Sequence, residues 1–269
     1  GSGAGATWSA FPLTDVRPDG SVWDMYSDKV YQFNGVNSVS GMNIEHSFPK
    51  SWWGGTVNQA YKDLHHLNPS DATANNAKSN WTMGVVNGEL LFDNGMIKKG
   101  RSFLRDPLNS IIVWEPADEY KGDFARIYMY MVTCYEQFSP NDVWTSDASM
   151  QLNVNNHDTY PLFQDWTANL LLAWHRADPV SAKELRRNEE VYKIQGNRNP
   201  FIDNPYLATR IWGGPQAPDT WNTLSCTTTT IWNGSSWSNG IPNKDIKVVF
   251  SGNYTSIGDL SACSLTING

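Results

Sequence analysis

The sequence between residues 43 and 78 decides the fold of this chain. It reads Asn-Ile-Glu-His-Ser-Phe-Pro-Lys at 43–50, then Asp-Leu-His-His-Leu-Asn-Pro-Ser-Asp at 63–71, and continues with Ala-Thr-Ala-Asn-Asn-Ala-Lys at 72–78. The first piece alternates in polarity and stops at a proline, which is typical of a strand. The second piece predicts a short strand, after which Ser70 or Asp71 caps a helix. The stretch therefore predicts a β, β, α unit.

Such a unit can hold a hard metal ion, because a strand and a facing helix each lend one oxygen ligand. Magnesium dehydrates reluctantly and takes one or two protein ligands together with substrate phosphate. Glu45 and Asn75 supply suitable oxygens. A histidine beside them, His46, is near neutral at physiological pH and can accept a proton from water that attacks phosphorus. These residue types in this order predict metal-assisted cleavage of a phosphate ester.

At these residues the chain resembles the bacterial endonuclease I family of non-specific nucleases, which belong to the ββα-metal or His-Me finger class. The matching stretches are residues 43–53, 63–71, 75–80, 121–126 and 195–203. They occur in the order that the family shows and cover about residues 20–213. The resemblance implies an α+β fold with a ββα-metal core and surrounding helices.

The resemblance implies that His46 is the general base and that Glu45 and Asn75 are the metal ligands. Asn76 competes with Asn75, but neighbours on a helix differ by about 100°, so only one can face the ion. Glu45 and His46 raise a difficulty, since adjacent residues on an ideal strand point to opposite faces. We therefore expect the chain to leave ideal strand geometry at His46.

Further residues are implied around this core. His65, Asn43 and Asn80 are expected to orient the residues of the site without binding the metal themselves. For the two asparagines the alternative is a structural role as cap or turn residues. Lys78 stands where many relatives carry arginine, and it offers charge to a phosphate without the bidentate fork. Arg198 is a second candidate for phosphate or nucleic-acid contact, with a structural salt bridge as the alternative.

Periodicity predicts the remaining elements of an α+β domain. Helices are expected at residues 122–138, 162–176, 181–193 and 205–212, with Ser181 and Glu184 forming a capping box. Asn204 is expected to cap the last of these helices, with Pro205 at its first position. Short strands are expected at residues 40–48, 81–86, 89–92 and 110–114.

The composition changes near residue 214, which predicts two domains, residues 1–214 and 215–269. The second part is rich in Thr, Ser and Asn and alternates in polarity, so it predicts a short all-β segment, interpreted as an accessory module that is cut short. It is similar to β segments that follow catalytic domains in secreted proteins of the Bacteroidetes type. Cys226 and Cys263 can close one loop there.

Charge and composition set outer limits on function. The net charge of −7 opposes binding of a polyanion by the whole molecule. Between residues 41 and 105, however, basic residues outnumber acidic ones by two, a modest local patch that predicts salt-sensitive binding. No run of eighteen apolar residues is present, so no membrane span is expected, and residues 1–5 resemble a processed or engineered end rather than a signal peptide.

The sequence therefore predicts a metal-dependent, sequence-non-specific endonuclease that hydrolyses DNA, and RNA as well, to 5′-phosphate products. Mg²⁺ is the expected ion, with Mn²⁺ or Ca²⁺ as alternatives. A secreted or periplasmic location is expected, and no membrane or protein partner is inferred. One rival is a Trp-rich carbohydrate-binding or adhesion protein with structural histidines. Another is a zinc hydrolase that uses His46, His65 and His66, although the chain lacks a His-Glu-x-x-His helix.

Overall fold

The computed structural model describes residues 4–35, 38–135, 146–153, 162–213, 228–243, 246–255, 262 and 264–267. The chain consists of two compact units, residues 1–215 and 216–269. The first unit is a mixed α+β structure, as the sequence predicts.

The described part of the first unit contains seven α-helices and six strands. The helices are α1 (Ala4–Thr14), α2 (Ala72–Lys78), α3 (Lys121–Cys134), α4 (Asp165–Ala177), α5 (Ala182–Gln195), α6 (Pro200–Asp203) and α7 (Tyr206–Trp212). The strands are β1 (Met42–His46), β2 (Leu67–Asp71), β3 (Thr82–Met83), β4 (Leu90–Asp93), β5 (Ile97–Ser102) and β6 (Ile111–Pro116). Short 3₁₀ turns lie at Lys50–Trp53, Ala60–Lys62, Asp118–Tyr120 and Ser146–Met150.

The predicted β, β, α arrangement is present. β1 pairs with β2 in an antiparallel two-stranded sheet, with Met42 opposite Asp71 and His46 opposite Leu67. α2 begins at the next residue, and the Asp71 carboxylate accepts a hydrogen bond from the Ala74 amide at 2.9 Å. This bond satisfies one of the free amides of the first turn, so Asp71 rather than Ser70 is the helix cap.

A second sheet of four strands has the order β3, β6, β5, β4, with β3 parallel to β6 and the other pairs antiparallel. β5 is missing from the sequence prediction, because its residues Ile-Lys-Lys-Gly-Arg-Ser are mostly polar. Pairing on both sides decides its conformation instead. Gly100 permits the close approach of β4, since a Cβ there would lie 2.5 Å from the carbonyl oxygen of Glu89.

The core is built around α3, in which residues 122–132 are all buried. The sequence predicts one apolar stripe on this helix, but the structure encloses its polar residues as well. The Arg126 guanidinium is fully buried and donates to both carboxylate oxygens of Glu184, at 2.5 and 2.8 Å. Asp123 is paired with Lys183. Such pairing is what permits charged groups to lie inside a core.

The helix starts match the prediction in part, and α4 begins at Asp165 rather than at residue 162. The capping box of Ser181 and Glu184 at the start of α5 is present. α7 begins at Tyr206 with Pro205, not Asn204, at the cap position. The polar cap and first-turn proline occur instead one helix earlier, where Asn199 accepts from the Phe201 amide at the start of α6. α1 is also absent from the sequence prediction.

The second unit contains β7 (Thr228–Trp232), β8 (Ile246–Phe250) and β9 (Ser264–Ile267) among its described residues. Both pairs in this three-stranded sheet are parallel, an orientation that the sequence pattern does not reveal. Cys226 and Cys263 lie outside the described residues, so their pairing stays a prediction. In neither unit does a described helix have the length and apolar character needed to cross a membrane.

His175 on α4 gives the fold a specific dependence on pH. Its Nε2 donates to the Pro205 carbonyl at 2.8 Å, and its Nδ1 accepts from the Arg126 guanidinium at 3.3 Å. Burial, and secondarily the charge of Arg126, lower the pKa of His175 to about 4. The unfolded chain therefore binds a proton that the folded chain rejects, and the stabilisation present above pH 6.5 is lost as the pH falls towards 4.

We expect the free energy of unfolding to fall by about 1–2 kcal/mol more between pH 7 and pH 5 in the wild type than in His175→Gln. The measurement is urea unfolding at both pH values, followed by circular dichroism. The variant retains every other histidine, so the difference isolates His175. Parallel losses of stability in the two proteins would show that this side chain is not the source.

Candidate functional site

A cleft of about 520 Å³ opens beside β1. Its lining includes five of the residues that the sequence singles out, namely Asn43, Glu45, His46, Asn75 and Asn80. Residues 49–51, which follow the strand, and Ser79 complete the wall with Ile44. We call this space the β1 cleft. The pairing of β1 with β2 and the immediate start of α2 bring these residues together, although they are up to 37 positions apart.

Glu45 is held in the cleft wall by an ion pair with α2. The Lys78 ammonium lies 2.6 Å from Glu45 Oε1, and the lysine is fully buried against the ring of Trp114, with its nitrogen 5.1 Å from the ring centre. Burial raises the pKa of Glu45, and the charge of Lys78 opposes that rise. Lys78 therefore serves Glu45 in this structure and is not presented to a phosphate in the open cleft.

The two neighbouring asparagines on α2 are separated as the helical geometry predicts. Asn75 is half-buried and borders the β1 cleft, whereas Asn76 is exposed and is absent from the lining. The helix rotates successive side chains by about 100°, so one of the pair faces the strand and the other faces solvent. Of the two amides, Asn75 is the one that shares the cleft with Glu45.

The imidazole of His46 is oriented by the backbone of a neighbouring turn. Its Nε2 lies 3.0 Å from the carbonyl oxygen of Tyr61, which can only accept a hydrogen bond. In the neutral ring the proton therefore resides on Nε2, and Nδ1 keeps its lone pair. Burial, with the neighbouring His66 as a secondary cause, lowers the pKa of His46 to about 3. The ring is thus neutral at physiological pH and can accept a proton.

The expected irregularity of β1 at His46 is not observed. Residue-for-residue pairing runs from Met42 to His46, and the Ser47 amide continues the ladder by donating to the His66 carbonyl at 2.9 Å. Glu45 and His46 nevertheless both border the β1 cleft, because its wall includes the residues that follow the strand. Glu45 contacts α2, whereas the His46 ring packs on the Tyr61 ring, with 4.6 Å between the ring centres.

The end of β1 is fixed from several sides. The hydroxyl of Ser47 lies 2.6 Å from the Tyr26 hydroxyl and accepts from the Asn68 amide at 2.7 Å. The Tyr128 hydroxyl donates to the Ser47 carbonyl at 3.1 Å. Trp52 and Trp53 are buried beneath this turn, so they pack the strand and do not offer faces to a ligand. These contacts hold the backbone next to His46 in one conformation, which favours precise chemistry.

The structure places His65 and Arg198 away from the lining of the β1 cleft. The His65 ring packs on Tyr130, 4.5 Å between centres, and its Nε2 is 3.2 Å from the Asn197 carbonyl. Arg198 donates to Asp203 at 2.8 and 2.9 Å and to Glu189 at 2.5 Å. The structural salt bridge, rather than an open phosphate contact, is therefore the state of Arg198 here.

Three residues that have no role in the predicted nuclease site lie next to His46. The ring of His66 is 5.3 Å from that of His46, and its Nε2 lies 2.6 Å from the Ala60 carbonyl. Lys50 borders the β1 cleft, and its nitrogen lies 5.2 Å from the centre of the Tyr61 ring. Tyr61 itself supplies the carbonyl that orients His46. His66 and Lys50 lie inside the quoted motif stretches and Tyr61 lies outside them, but the sequence does not show which of these residues contact His46.

The donors of the β1 cleft fit a hard cation. They are one carboxylate, from Glu45, and amides such as that of Asn75, which are the oxygen ligands that magnesium takes in small number. The zinc alternative finds less support, since no group of three or more His, Cys, Asp or Glu side chains suited to a metal occurs among the described residues. His65 is also directed to Tyr130 and not to His46.

Comparison with known proteins identifies the family to which the sequence is similar. The sequence model of the family described as Endonuclease I matches residues 2–206. The extracellular ribonuclease of Bacillus amyloliquefaciens is 36% identical over 216 residues, which cover 76% of this chain and 66% of the relative. The extracellular ribonuclease of Bacillus subtilis (strain 168) is 35% identical over 213 residues, which cover 76% of this chain and 67% of the relative.

A periplasmic deoxyribonuclease of Aeromonas hydrophila is 25% identical over 146 residues, which cover 54% of this chain and 49% of the relative. The chain thus spans about two thirds of the length of the Bacillus relatives that it matches and about half of the Aeromonas relative. Every one of these matches is to a protein named as a nuclease.

Proposed function

This chain belongs to the endonuclease I family, and from that premise we propose that it is a metal-dependent, sequence-non-specific endonuclease that hydrolyses DNA and RNA to 5′-phosphate products. The observation that carries the proposal is the β1 cleft. It brings a carboxylate, carboxamides and an imidazole whose Nε2 is bonded to the Tyr61 carbonyl to a single wall of ten residues. These are the groups that phosphodiester hydrolysis requires.

The substrate class and the location follow the relatives. Two of them are named extracellular ribonucleases and one a periplasmic deoxyribonuclease, which supports action on both nucleic acids outside the cytoplasm. The family membership also favours the nuclease over the carbohydrate-binding alternative. The burial of Trp52, Trp53 and Trp114 agrees, because it leaves these large rings to the core.

In the proposed mechanism His46 acts as the general base. Tyr61 fixes the Nε2 proton, so Nδ1 accepts the proton of the water that attacks phosphorus. The low pKa ensures that the ring is unprotonated before substrate arrives. A phosphate entering the cleft brings negative charge, which favours the imidazolium and raises that pKa. Proton transfer therefore becomes easier at the moment when it is needed.

Glu45 and Asn75 are the residues that would hold Mg²⁺, or alternatively Mn²⁺ or Ca²⁺. When bound, such an ion supplies positive charge to the phosphoryl oxygens and to the departing 3′ oxygen. Lys78 contributes indirectly, because its positive charge opposes the rise in the pKa of Glu45 that burial causes, and its ammonium fixes Oε1. Asn43 and Asn80 border the same cleft and are proposed to support these ligands.

Lack of sequence preference follows from the groups that meet the substrate. Lys78 and Arg198 are paired with carboxylates and are not directed to the cleft. Lys50 borders the cleft and is the cation that we expect to contact the substrate phosphate. A lysine that contacts phosphate carries no information about base sequence. Binding that depends on such contacts weakens as salt rises.

Removing the metal tests this proposal. Supercoiled plasmid and a folded RNA are each incubated with the protein in Mg²⁺, Mn²⁺ or Ca²⁺, and in EDTA. We expect nicking of the plasmid and cleavage of the RNA with at least one ion. Both activities should be lost in EDTA, because the metal ion supplies the positive charge that stabilises the departing 3′ oxygen. Cleavage that persists in EDTA contradicts the metal dependence, and inactivity with all three ions contradicts the nuclease.

The products provide a second readout. Labelled oligonucleotides cut by the protein are expected to carry 5′-phosphate, so that ligase joins them directly. Products that ligase accepts only after treatment with a kinase would instead show that the 5′ oxygen leaves, and this result would contradict the proposed direction of cleavage.

A further inference from the structure

A second and larger cavity, of about 640 Å³, adjoins the β1 cleft at His46. It is bounded by α1 and by the end of α5, and we call it the α1 pocket. Residues that belong to it but not to the cleft include Thr7, Ala10, Val57, Lys62, Leu64 and Ile194. His46 and Lys50 border both spaces, so a ligand that reaches the general base can extend into the α1 pocket.

The α1 pocket has an apolar floor and an open rim. Ala10, Leu64 and Leu67 are 5%, 6% and 2% exposed and form its inner surface. Val57 and Ile194 are 62% and 45% exposed and lie at its opening. A concave apolar surface of several hundred cubic ångströms is the usual form of a site for a small flat ligand.

The charges around the pocket are all of one sign. Its lining carries Lys50 and Lys62 and, within the described residues, no Asp or Glu side chain. Neither lysine forms an ion pair in the part of the chain that the structure describes. Lys50 instead lies over the Tyr61 ring, 5.2 Å from its centre, and Lys62 is exposed. An apolar interior beside unneutralised cations complements a flat base joined to a phosphate.

We propose that the α1 pocket receives the base of a nucleotide directly next to the phosphate that is cut. The inference rests on the proposed function, since it takes the phosphate at His46 as its starting point. The aromatic ring of Tyr61 and the side chains of Leu64 and Leu67 supply an apolar contact surface. The Gln195 amide, which also borders the pocket, donates to Asp63 and Asn197. The pocket thus binds a base without selecting its identity.

A base that enters the pocket cannot remain stacked in a duplex. Extracting it costs unpairing and unstacking energy in double-stranded substrate and little in a single strand. The proposal therefore entails faster cleavage of single-stranded than of double-stranded nucleic acid at equal length. It also entails that an isolated sugar-phosphate linkage without its base is a poorer substrate.

Abasic oligonucleotides test the proposal on the wild-type protein. Three single strands of equal length carry one cleavable phosphodiester each, the remaining linkages being phosphorothioate. One has both flanking bases, one lacks the base on the 5′ side, and one lacks it on the 3′ side. We expect kcat/KM to fall by about tenfold or more for one of the two abasic strands, as the loss of one stacked base implies. Changes below threefold for both strands would overturn the proposal.

A filled pocket supplies the matched comparison. Thr7→Trp places a large side chain in the pocket from α1, where Thr7 is half-buried, while Leu13→Trp adds the same ring to a 53% exposed position of the same helix. Thr7→Trp is expected to remove the difference between the intact and abasic strands. Leu13→Trp is expected to keep it. A Thr7→Trp protein that is folded by circular dichroism and still discriminates would place the base elsewhere and overturn the proposal.

The outcomes separate this inference from the proposed function. Cleavage of plasmid in Mg²⁺ by the wild type tests the nuclease alone and requires no pocket. An active nuclease that ignores the abasic residues keeps the proposed function and removes the role of the α1 pocket. Because the abasic comparison uses only the wild type, it decides the matter even when Thr7→Trp does not fold.

Discussion

His46→Ala is expected to lower kcat/KM for plasmid cleavage by about 10²–10⁴-fold, the range that loss of a general base produces. The reason is the arrangement at Tyr61, which commits Nε2 as donor and leaves Nδ1 as the basic atom. Alanine offers neither. The measurement is initial rates over a range of plasmid concentrations, with unfolding by heat recorded for the same preparations.

His46→Gln is the matched control for structure. Its side-chain amide can donate to the Tyr61 carbonyl as Nε2 does, yet it provides no nitrogen that accepts a proton near neutral pH. We expect this variant to unfold at the temperature of the wild type and to remain as inactive as His46→Ala. Equal loss of activity in both variants then belongs to the chemistry and not to the fold.

Rescue with free imidazole distinguishes a base from a structural contact. Added imidazole can occupy the space left in His46→Ala and accept the proton in place of the missing ring. We expect a rate that rises with imidazole concentration in this variant and a flat response in the wild type. Wild-type turnover by His46→Ala, with no rescue, would remove His46 from the mechanism.

Lys78→Met is expected to destabilise the protein by about 3–5 kcal/mol, the cost of leaving one partner of a buried ion pair alone. Lys78 is fully buried, and its partner Glu45 is 7% exposed, so water does not replace the lost charge. The measurement is urea unfolding at pH 7. Lys29→Met is the comparison, because Lys29 is 56% exposed and its partner Asp71, 4% exposed, keeps hydrogen bonds from the Tyr31 hydroxyl and the Ala74 amide when the lysine is lost. It should cost about 0–1 kcal/mol.

The double variant Glu45→Gln, Lys78→Met separates stability from activity. Replacing both partners removes the isolated charge, so most of the lost free energy of unfolding should return. The carboxylate proposed to hold the metal is absent, however, and cleavage in Mg²⁺ should not return. A double variant as unstable as Lys78→Met would contradict the view that the unpaired Glu45 charge causes the loss. Full activity in the double variant would exclude Glu45 as a ligand.

The two single variants act on different parts of one wall. His46 contacts the turn at residues 60–62, whereas Glu45 contacts α2, and both border the β1 cleft. In the proposed mechanism the base His46 and the metal ligand Glu45 are adjacent residues of a regular strand, and the second ligand, Asn75, lies on α2. No backbone distortion is needed, since the cleft is bounded by the strand and by the residues that follow it.

Much of the local structure was open to prediction from the sequence. The alternation at 43–46, a cap at Ser70 or Asp71 and the motif order predicted β1, α2 and the family, because each depends on residues close together in the chain. The capping box at Ser181 is equally local. The constant rotation per residue of a helix showed that only one of Asn75 and Asn76 can face the strand, and the motif spacing favoured Asn75.

The sequence by itself therefore determined the family, the β, β, α unit and the candidates Glu45, His46 and Asn75. Only the tertiary structure decided which positive charges are free of carboxylate partners and can contact a phosphate. Lys78 and Arg198 are cations in the sequence, but burial against Glu45 and pairing with Asp203 occupy both of them. It also decided that α1 and His46 border the same pocket. Charge pairing and cavity shape depend on residues distant in the chain, which no local pattern encodes.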